Sequence, residues 1–457
     1  MPQIIKLSTS IATICILLIN ITIAQDDMGP ESEALPLRLS LQQAVEYATE
    51  YSTQMRTAAV DVEIAGKRIR EITASGLPQI DASLGYQYYF DIPTSLVPAE
   101  FFGGQPGEFA EIRFGTEQTA SASATVSQML FDGSYIVGLR AARIYRELAL
   151  QNKERSELDV RNQVSETYFL VLLTRDNLGI VMQNLENIKQ TLDETEKILE
   201  AGFTDPINVD QLKLSVSNMK NNLTNLERQY EISLNLLKFQ IGVDMDRKIN
   251  LTDSLGQLFD KMMLEADPGE EFNHEDHIDY RIMLSTREMD YMALRREQSF
   301  SLPRLTASFT YQEMAMRNDF NFTDMSKPWF PSSFIAVNLS IPLFSSGLRS
   351  ARVQQARLEL SKTEIAAEQV SESLRLQIAE AISMFRTAKD KYISEKENLE
   401  LAEKILTRTT IMHREGMVSS LELTQASDQL LATRANYYNA MFEFITAKNN
   451  LDKAKGL

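Results

Sequence analysis

GLPQIDASLGYQ (residues 76–87) and SLPRLTASFTYQ (residues 301–312) are two versions of one phrase, set 225 positions apart. Six of the twelve aligned letters agree: Leu77/Leu302, Pro78/Pro303, Ala82/Ala307, Ser83/Ser308, Tyr86/Tyr311 and Gln87/Gln312. After each proline, apolar residues fall at every second position. Ala82, Leu84, Tyr86, Tyr88 and Phe90 alternate with Asp81, Ser83, Gly85, Gln87 and Tyr89, and Leu305, Ala307, Phe309 and Tyr311 alternate with Thr306, Ser308, Thr310 and Gln312. A period of two is a β-strand with one apolar and one polar face. Each strand has a companion: Ala120, Ala122, Ala124 and Val126 alternate with serines and threonines, and Ile335, Val337, Leu339 and Ile341 alternate with Ala336, Asn338 and Ser340. The expected hairpins cover about 79–130 and 304–343. Runs of about ten residues have the length and dyad of a membrane-spanning strand. A half-buried strand of a soluble sheet alternates in the same way, so the strands alone do not decide.

The repetition continues beyond the strands. SQMLFDGSYIVGLRAAR (127–143) is echoed by IPLFSSGLRSARVQQAR (341–357), and AGFTDPINVDQLKLSVSNMKNNL (201–223) by EGMVSSLELTQASDQLLATRANY (415–437). The chain therefore reads as two diverged copies, 39–242 and 274–457, joined by an inter-repeat segment 243–273. Each copy starts with a helix of about thirty residues and continues through the strand hairpin. A very long helix, a glycine-marked turn and a second long helix complete it. Residues 348–415 hold no glycine or proline, and residues 139–201 hold only Gly179. At about 1.5 Å per residue each helix extends on the order of 100 Å. Leu178, Val181, Leu185, Ile188, Leu192 and Leu199 keep 3/4 spacing, as do Val209, Leu212, Val216, Met219, Leu223, Leu226, Tyr230 and Leu237. Ile378, Ala381, Phe385, Ala388 and Tyr392 repeat the pattern in the second copy. Such seams predict helices wound about neighbours along their length. The tips are expected near 202–206 and 416–420.

Composition narrows the setting. The mean hydropathy of −0.22 excludes a bundle of membrane helices. The one long apolar run lies at the start, with Lys6 before it and Ile-Thr-Ile-Ala after it, and reads as a secretory leader spanning 1–24, followed by an N-terminal segment 25–38. Cys15 is the sole cysteine and falls inside that leader, which leaves no disulfide, thiolate metal site or catalytic thiol in the exported chain. An export signal without disulfides suits a bacterial envelope protein. The net charge of −17, with no basic stripe, argues against nucleic acid as a partner.

Four strands per chain cannot close a barrel, and an open sheet edge in lipid leaves unsatisfied backbone groups costing several kcal/mol each. If the strands span a membrane, several chains share one barrel; three supply twelve strands, and the helices continue the barrel outside the membrane. Ser83, Gln87, Ser308 and Gln312 then face the lumen.

At this level the chain resembles the TolC-type outer-membrane efflux ducts. The resemblance spans nearly all of the chain after the leader and rests on LSLQQAVEYA, the paired LPQIDASLGY and LPRLTASFTY, PLFSSGLRSARVQQA, and EGMVSSLELTQASDQLLATRANYYNAMFEFITAKNNL. It implies mixed α and transmembrane β architecture: a homotrimer with a twelve-stranded barrel continued by a long periplasmic α-helical barrel. It implies outer-membrane lipid around the barrel, a periplasmic adaptor (membrane fusion) protein, and an inner-membrane pump of RND or ABC type. Gly202, Phe203 and Thr204, with Gly416, Met417, Val418 and Ser419, match the tips that meet the adaptor. The acidic position that constricts the family's entrance falls on Glu422 in the second copy and on Asn208 in the first; a further acidic position falls on Gln425, and Asp205 and Asp210 lie close enough to substitute. Export of small molecules and secretion of proteins both fit, because the pump chooses the cargo. An exported coiled-coil scaffold with a soluble sheet is the rival reading.

No enzyme or cofactor site emerges. The chain has three histidines and no nucleophile–base constellation. His274-Glu275-Asp276-His277 has spacing three where the zinc-protease helix needs four. His413 lies one turn before the second tip, and Met314, Met316 and Met325 flank an expected outer loop, where packing is the ordinary role of methionine.

Overall fold

The computed structural model describes residues 36–265, 273–324 and 326–456; the expected leader with Cys15, and Met325, lie outside them. In the first half the order is β1 (Leu37–Leu39), α1 (Leu41–Tyr51), α2 (Thr53–Ser75), β2 (Gln79–Tyr88), β3 (Thr94–Pro98), β4 (Phe109–Arg113), β5 (Gln118–Phe131), α3 (Gly133–Glu200) and α4 (Pro206–Ile241). Then follow β6 (Ile249–Leu251), α5 (Leu255–Glu265), α6 (Ile278–Ser299), β7 (Arg304–Arg317), β8 (Phe330–Ser340), α7 (Leu348–Arg414) and α8 (Ser420–Lys455). The long helices measure 68 and 36 residues in the first half and 67 and 36 in the second.

Four strands form one antiparallel sheet in the order β2-β5-β7-β8. The helices running into and out of it keep that lateral order: α2 packs on α3, α3 on α6, and α6 on α7. The sheet is therefore continued by a single layer of helices. Farther down, α4 lies along α3 and α8 along α7, and α8 packs against α3 and α4. The seam residues Val181, Leu185, Val216, Met219 and Leu226 form a buried row between α3 and α4. Ala381, Phe385, Ala388 and Tyr392 are buried in the second half.

Three elements depart from expectation. The thirty-residue first helix is broken at Ser52, which has ψ 146 and caps α2 by accepting from the Met55 N–H. Its own N–H still closes α1 on the Ala48 carbonyl at 3.0 Å, so one buried serine serves both helix ends. The fourth strand stops at Ser340, short of the expected 343. Pro342 lacks an N–H for the ladder, and its carbonyl accepts from Arg349 at 2.8 Å instead. The stretch 90–115 that joins the first strand pair, whose prolines and glycines read as a long loop, carries its own two-stranded ribbon, β3 with β4.

The thickest core lies midway down the helices, where β1 pairs in parallel with β6 and ties the start of the chain to the 243–273 segment. Phe259 of α5 stacks on Tyr392 and Phe444 at 4.7 and 5.4 Å, which clamps that segment onto α7 and α8. Within this core the Tyr168 hydroxyl sits 3.0 Å from both the Leu39 carbonyl and Asp253 Oδ2. The same Asp253 oxygen accepts from the Leu41 N–H at 2.7 Å. Burial, reinforced by the Asp253 carboxylate, pushes the Tyr168 phenol well above its usual range, so it stays protonated as the donor. Tyr168→Phe removes the hydroxyl donor, while the Leu39 carbonyl keeps the Thr252 N–H and Asp253 keeps the Leu41 N–H, and should cost about 0.5–1.5 kcal/mol. A lowered thermal midpoint in detergent reads this out, and an unchanged midpoint would show that the node carries no stability.

Candidate functional site

The sheet has two chemically opposite faces. Its register puts Ser83, Ser123, Gln312 and Ser332 in one cross-strand row and Gln79, Ser127, Ser308 and Ala336 in another. Gln87 lies opposite Thr119 on the same face. All four residues expected to face the lumen therefore share one face. Hydroxyls bond across it, Ser83 to Ser123 at 2.7 Å and Thr125 to Thr310 at 3.0 Å. The opposite face carries the row Ile80, Val126, Phe309 and Ile335, with Ala82, Leu84, Val337 and Leu339 nearby. This apolar face is uncovered: Ile80 is 74 % exposed, Leu84 88 % and Ile335 75 %. Near its outer end Tyr86, Phe320, Phe322 and Trp329 make edge-on ring contacts, and the Arg317 guanidinium lies 5.1 Å over Phe322. Aromatic rings of this kind mark a membrane–water boundary.

At the far end of the molecule the two helical turns are built alike. Gly202 and Gly416 adopt the left-handed conformation, with φ +79 and +69, which only glycine enters without cost. In each, the residue after glycine donates its N–H five positions back: Phe203 to Ile198 at 3.0 Å and Met417 to Met412 at 2.9 Å. This Schellman closure turns Phe203 and Met417 outward, 85 % and 64 % exposed. The next helix starts from a cap, Asp205 accepting from the Ile207 N–H and Ser419 from the Glu422 N–H.

A hydrogen-bond chain ties the two turns together. Asn208 donates to Thr204 Oγ1 at 3.1 Å and accepts from the Ser420 N–H at 3.4 Å. Ser420 is buried, and its hydroxyl lies 3.1 Å from His413 Nε2. Asn208 stands where the resemblance implies an acid, and its amide serves the clasp with both ends, donating to Thr204 and accepting from Ser420. The other expected entrance residues, Glu422, Asp205, Asp210 and Gln425, are exposed, and the Asp205 carboxylate is engaged as a cap. Above the clasp lies a cavity of about 300 Å³ between the hairpins, lined by Thr191, Ser215, Thr410, Thr424 and Ser427 among others.

Burial holds the His413 imidazole below its ordinary value, with Glu194 of α3 pulling the other way. Arg414, the adjoining cation, pairs with that same Glu194 at 4.0 Å. Both forms of the chain keep this histidine neutral at high pH. As pH falls through the unfolded value near 6.5, the unfolded tip takes up the proton first, and the folded tip loses stability. Amides 413–420 should therefore exchange faster, after correction for intrinsic rates, at about pH 5.5 than at about pH 7.5. His413→Gln should remove that difference, and a difference that survives would exclude His413 as its source.

The histidine pair considered for metal is occupied structurally. His277 accepts from the Asp279 N–H at 3.2 Å as the cap of α6, and its Nε2 faces the Lys453 carbonyl at 3.3 Å. His274 packs edge-on against Tyr280.

The comparisons agree with this architecture. The family model for outer membrane efflux proteins matches residues 44–243 and 293–457. Among curated relatives, the probable outer membrane lipoprotein SilC of Salmonella typhimurium is 20 % identical over 409 residues, covering 88 % of this chain and 82 % of its own. The cation efflux system protein CusC of Escherichia coli is 19 % identical over 392 residues, covering 83 % and 78 %. Among solved structures, CusC superposes with a TM-score of 0.68 over 94 % of this chain and 96 % of its own, at 16 % identity. The CmeC outer membrane channel of Campylobacter jejuni gives 0.67 over 91 % and 85 %, also at 16 % identity. The chain belongs to the outer membrane efflux protein family, and its place is the bacterial outer membrane, with its helices extending into the periplasm.

Proposed function

We propose that this protein is the exit duct of a tripartite export system, assembled as a homotrimer whose twelve strands close one barrel. The observation that carries the reading is the sheet. Among the described residues it has an uncovered apolar face, a hydroxyl-lined face, and two unpaired edges, β2 and β8. In lipid those edges demand partners, and a neighbouring copy's β2 beside β8 supplies them with identical chemistry. Three copies place the hydroxyl faces around a water-filled bore. The helical layer, which keeps the strand order, then continues the wall as a tube. A soluble scaffold has no use for an apolar face exposed along a full strand length.

The near-equal helix lengths of the two halves support their origin as copies, 39–242 and 274–457, that tile the ring. Phe203 and Met417, projecting from the tube's end, are apolar knobs for grooves of a periplasmic adaptor. An inner-membrane pump of RND or ABC type supplies the cargo and the energy, and sets whether drugs, cations or polypeptides pass. The cation efflux named for CusC favours cations among these.

Three Glu422 side chains, exposed on the first turn of α8, ring the entrance. Carboxylates gathered on a three-fold axis attract cations. The purified protein in planar bilayers should conduct ions as a trimer, and Glu422→Gln should reduce its preference for cations severalfold. A monomer that passes no current overturns the duct; unchanged selectivity removes the ring alone.

A further inference from the structure

Among the described residues β3 and β4 pair only with each other, away from the main sheet. An isolated two-stranded ribbon in water is marginally stable at best. Its tip is nonetheless well built. Ala99 is buried beneath it, its N–H bonds the Glu108 carbonyl at 2.8 Å, and its carbonyl accepts from Gly104 at 2.9 Å. Around this tip Leu96, Phe101, Phe102 and Phe109 are 65, 78, 63 and 64 % exposed. Four large apolar side chains held outward on an ordered support call for something to cover them.

Charge argues against an anionic lipid surface as the cover. Residues 90–115 carry Asp91, Glu100, Glu108 and Glu111 against the single cation Arg113. A surface of anionic headgroups repels such a segment. A second copy of the ribbon carries the same acids, which water at the mouth screens, and offers a matching apolar tip. Reach permits that contact. Twelve strands spaced about 4.8 Å apart and tilted about 40° enclose a barrel of radius about 12 Å. The five residues of β3 alone span about 17 Å. The ribbon leaves the outer end of β2, opposite the helices, and so stands at the mouth.

We propose that three copies of the 94–113 ribbon converge over the mouth of the duct and pack Leu96, Phe101, Phe102 and Phe109 about the three-fold axis as an aromatic plug. This rests on the trimeric reading above. The plug is an outer closure, distinct from the tips, and must part for cargo to leave.

The test uses the full-length chain in a Cys15→Ser background, so that an added cysteine is the sole thiol. Phe102→Cys should yield covalently linked pairs of chains on mild oxidation, since the three thiols meet at the axis. Replacing 94–113 with a short Gly-Ser linker should raise single-channel conductance severalfold, and the milder pair Phe101→Ser with Phe102→Ser should do the same if the replacement folds poorly. Trimer mass in detergent is measured on each variant separately. A trimer with no cross-link and unchanged conductance overturns the plug and leaves the duct standing. A trimer without cross-link, whose Phe102→Cys fluorophore shifts blue in lipid vesicles, places the ribbon on lipid and also overturns it. A monomer overturns the trimeric reading itself.

Discussion

Arginine at position 335 should abolish assembly in the outer membrane, whereas arginine at position 336 should be tolerated. Ile335 is the central residue of β8 and belongs to a wholly apolar row with Phe309, Val126 and Ile80. Ala336 belongs to the row of Ser308, Ser127 and Gln79 on the opposite face. An arginine facing lipid at the midplane of a β-barrel costs about 2–4 kcal/mol. In a trimer the cost enters three times, about 6–12 kcal/mol in all, which is comparable to the whole stability of an ordinary domain. In the proposed barrel, arginine at 336 enters the water-filled bore, where its solvation is kept. Ile335→Arg should therefore deplete the protein from isolated outer membranes and remove its heat-modifiable band on gels. Ala336→Arg should assemble normally and move ion selectivity towards anions. Equal tolerance of both would mean that neither face meets lipid, and the barrel reading would fail with it.

The contrast between adjacent positions is also where the sequence was most legible. A period of two assigns Ile335 and Ala336 to opposite faces without any knowledge of tertiary structure, because alternation is a property of the strand backbone itself. The turns were legible for a similar local reason: Gly416 ends a long run without breakers, and Gly202 ends one whose sole glycine is Gly179. What stayed hidden depends on residues distant in the chain. Asn208 reads only as a lost acid until its bridge from Thr204 to Ser420, 212 positions away, is seen. The pairing of β1 with β6 involves three residues on each side, too few to show a period. Ser52 sits within an uninterrupted helical pattern, and serine is compatible with a helix interior; only the packing around it requires the break. The β3–β4 ribbon was hidden by its composition, since Pro98 and the glycines that follow read as loop.

That break at Ser52 leads to the other large effect. Gly242 ends α4 with φ +77, its N–H on the Phe239 carbonyl at 3.3 Å and the Val243 N–H on Lys238 at 2.9 Å. A Cβ there would lie 2.5 Å from the Tyr51 carbonyl oxygen, 3.0 Å from its carbon and 3.2 Å from Ser52 Cα. These atoms are backbone at the junction of α1 and α2, so no side chain can swing aside. The junction is fixed in turn, because Ser52 is 2 % exposed and caps α2. Gly202 has nearly the same φ, +79, yet among the described residues nothing lies within 4 Å of its missing Cβ. The pair separates two costs. Gly202→Ala meets only the left-handed backbone penalty, about 1–2 kcal/mol. Gly242→Ala meets that penalty plus a displacement of the α1–α2 corner from α4, an overpacking cost of about 1–3 kcal/mol or more. Thermal midpoints in detergent should fall clearly further for Gly242→Ala than for Gly202→Ala, and limited proteolysis should newly cut near residue 52. Equal losses at the two glycines would mean that the corner yields freely, and that the close approach of α4 to the Ser52 break does not hold the middle of the molecule together.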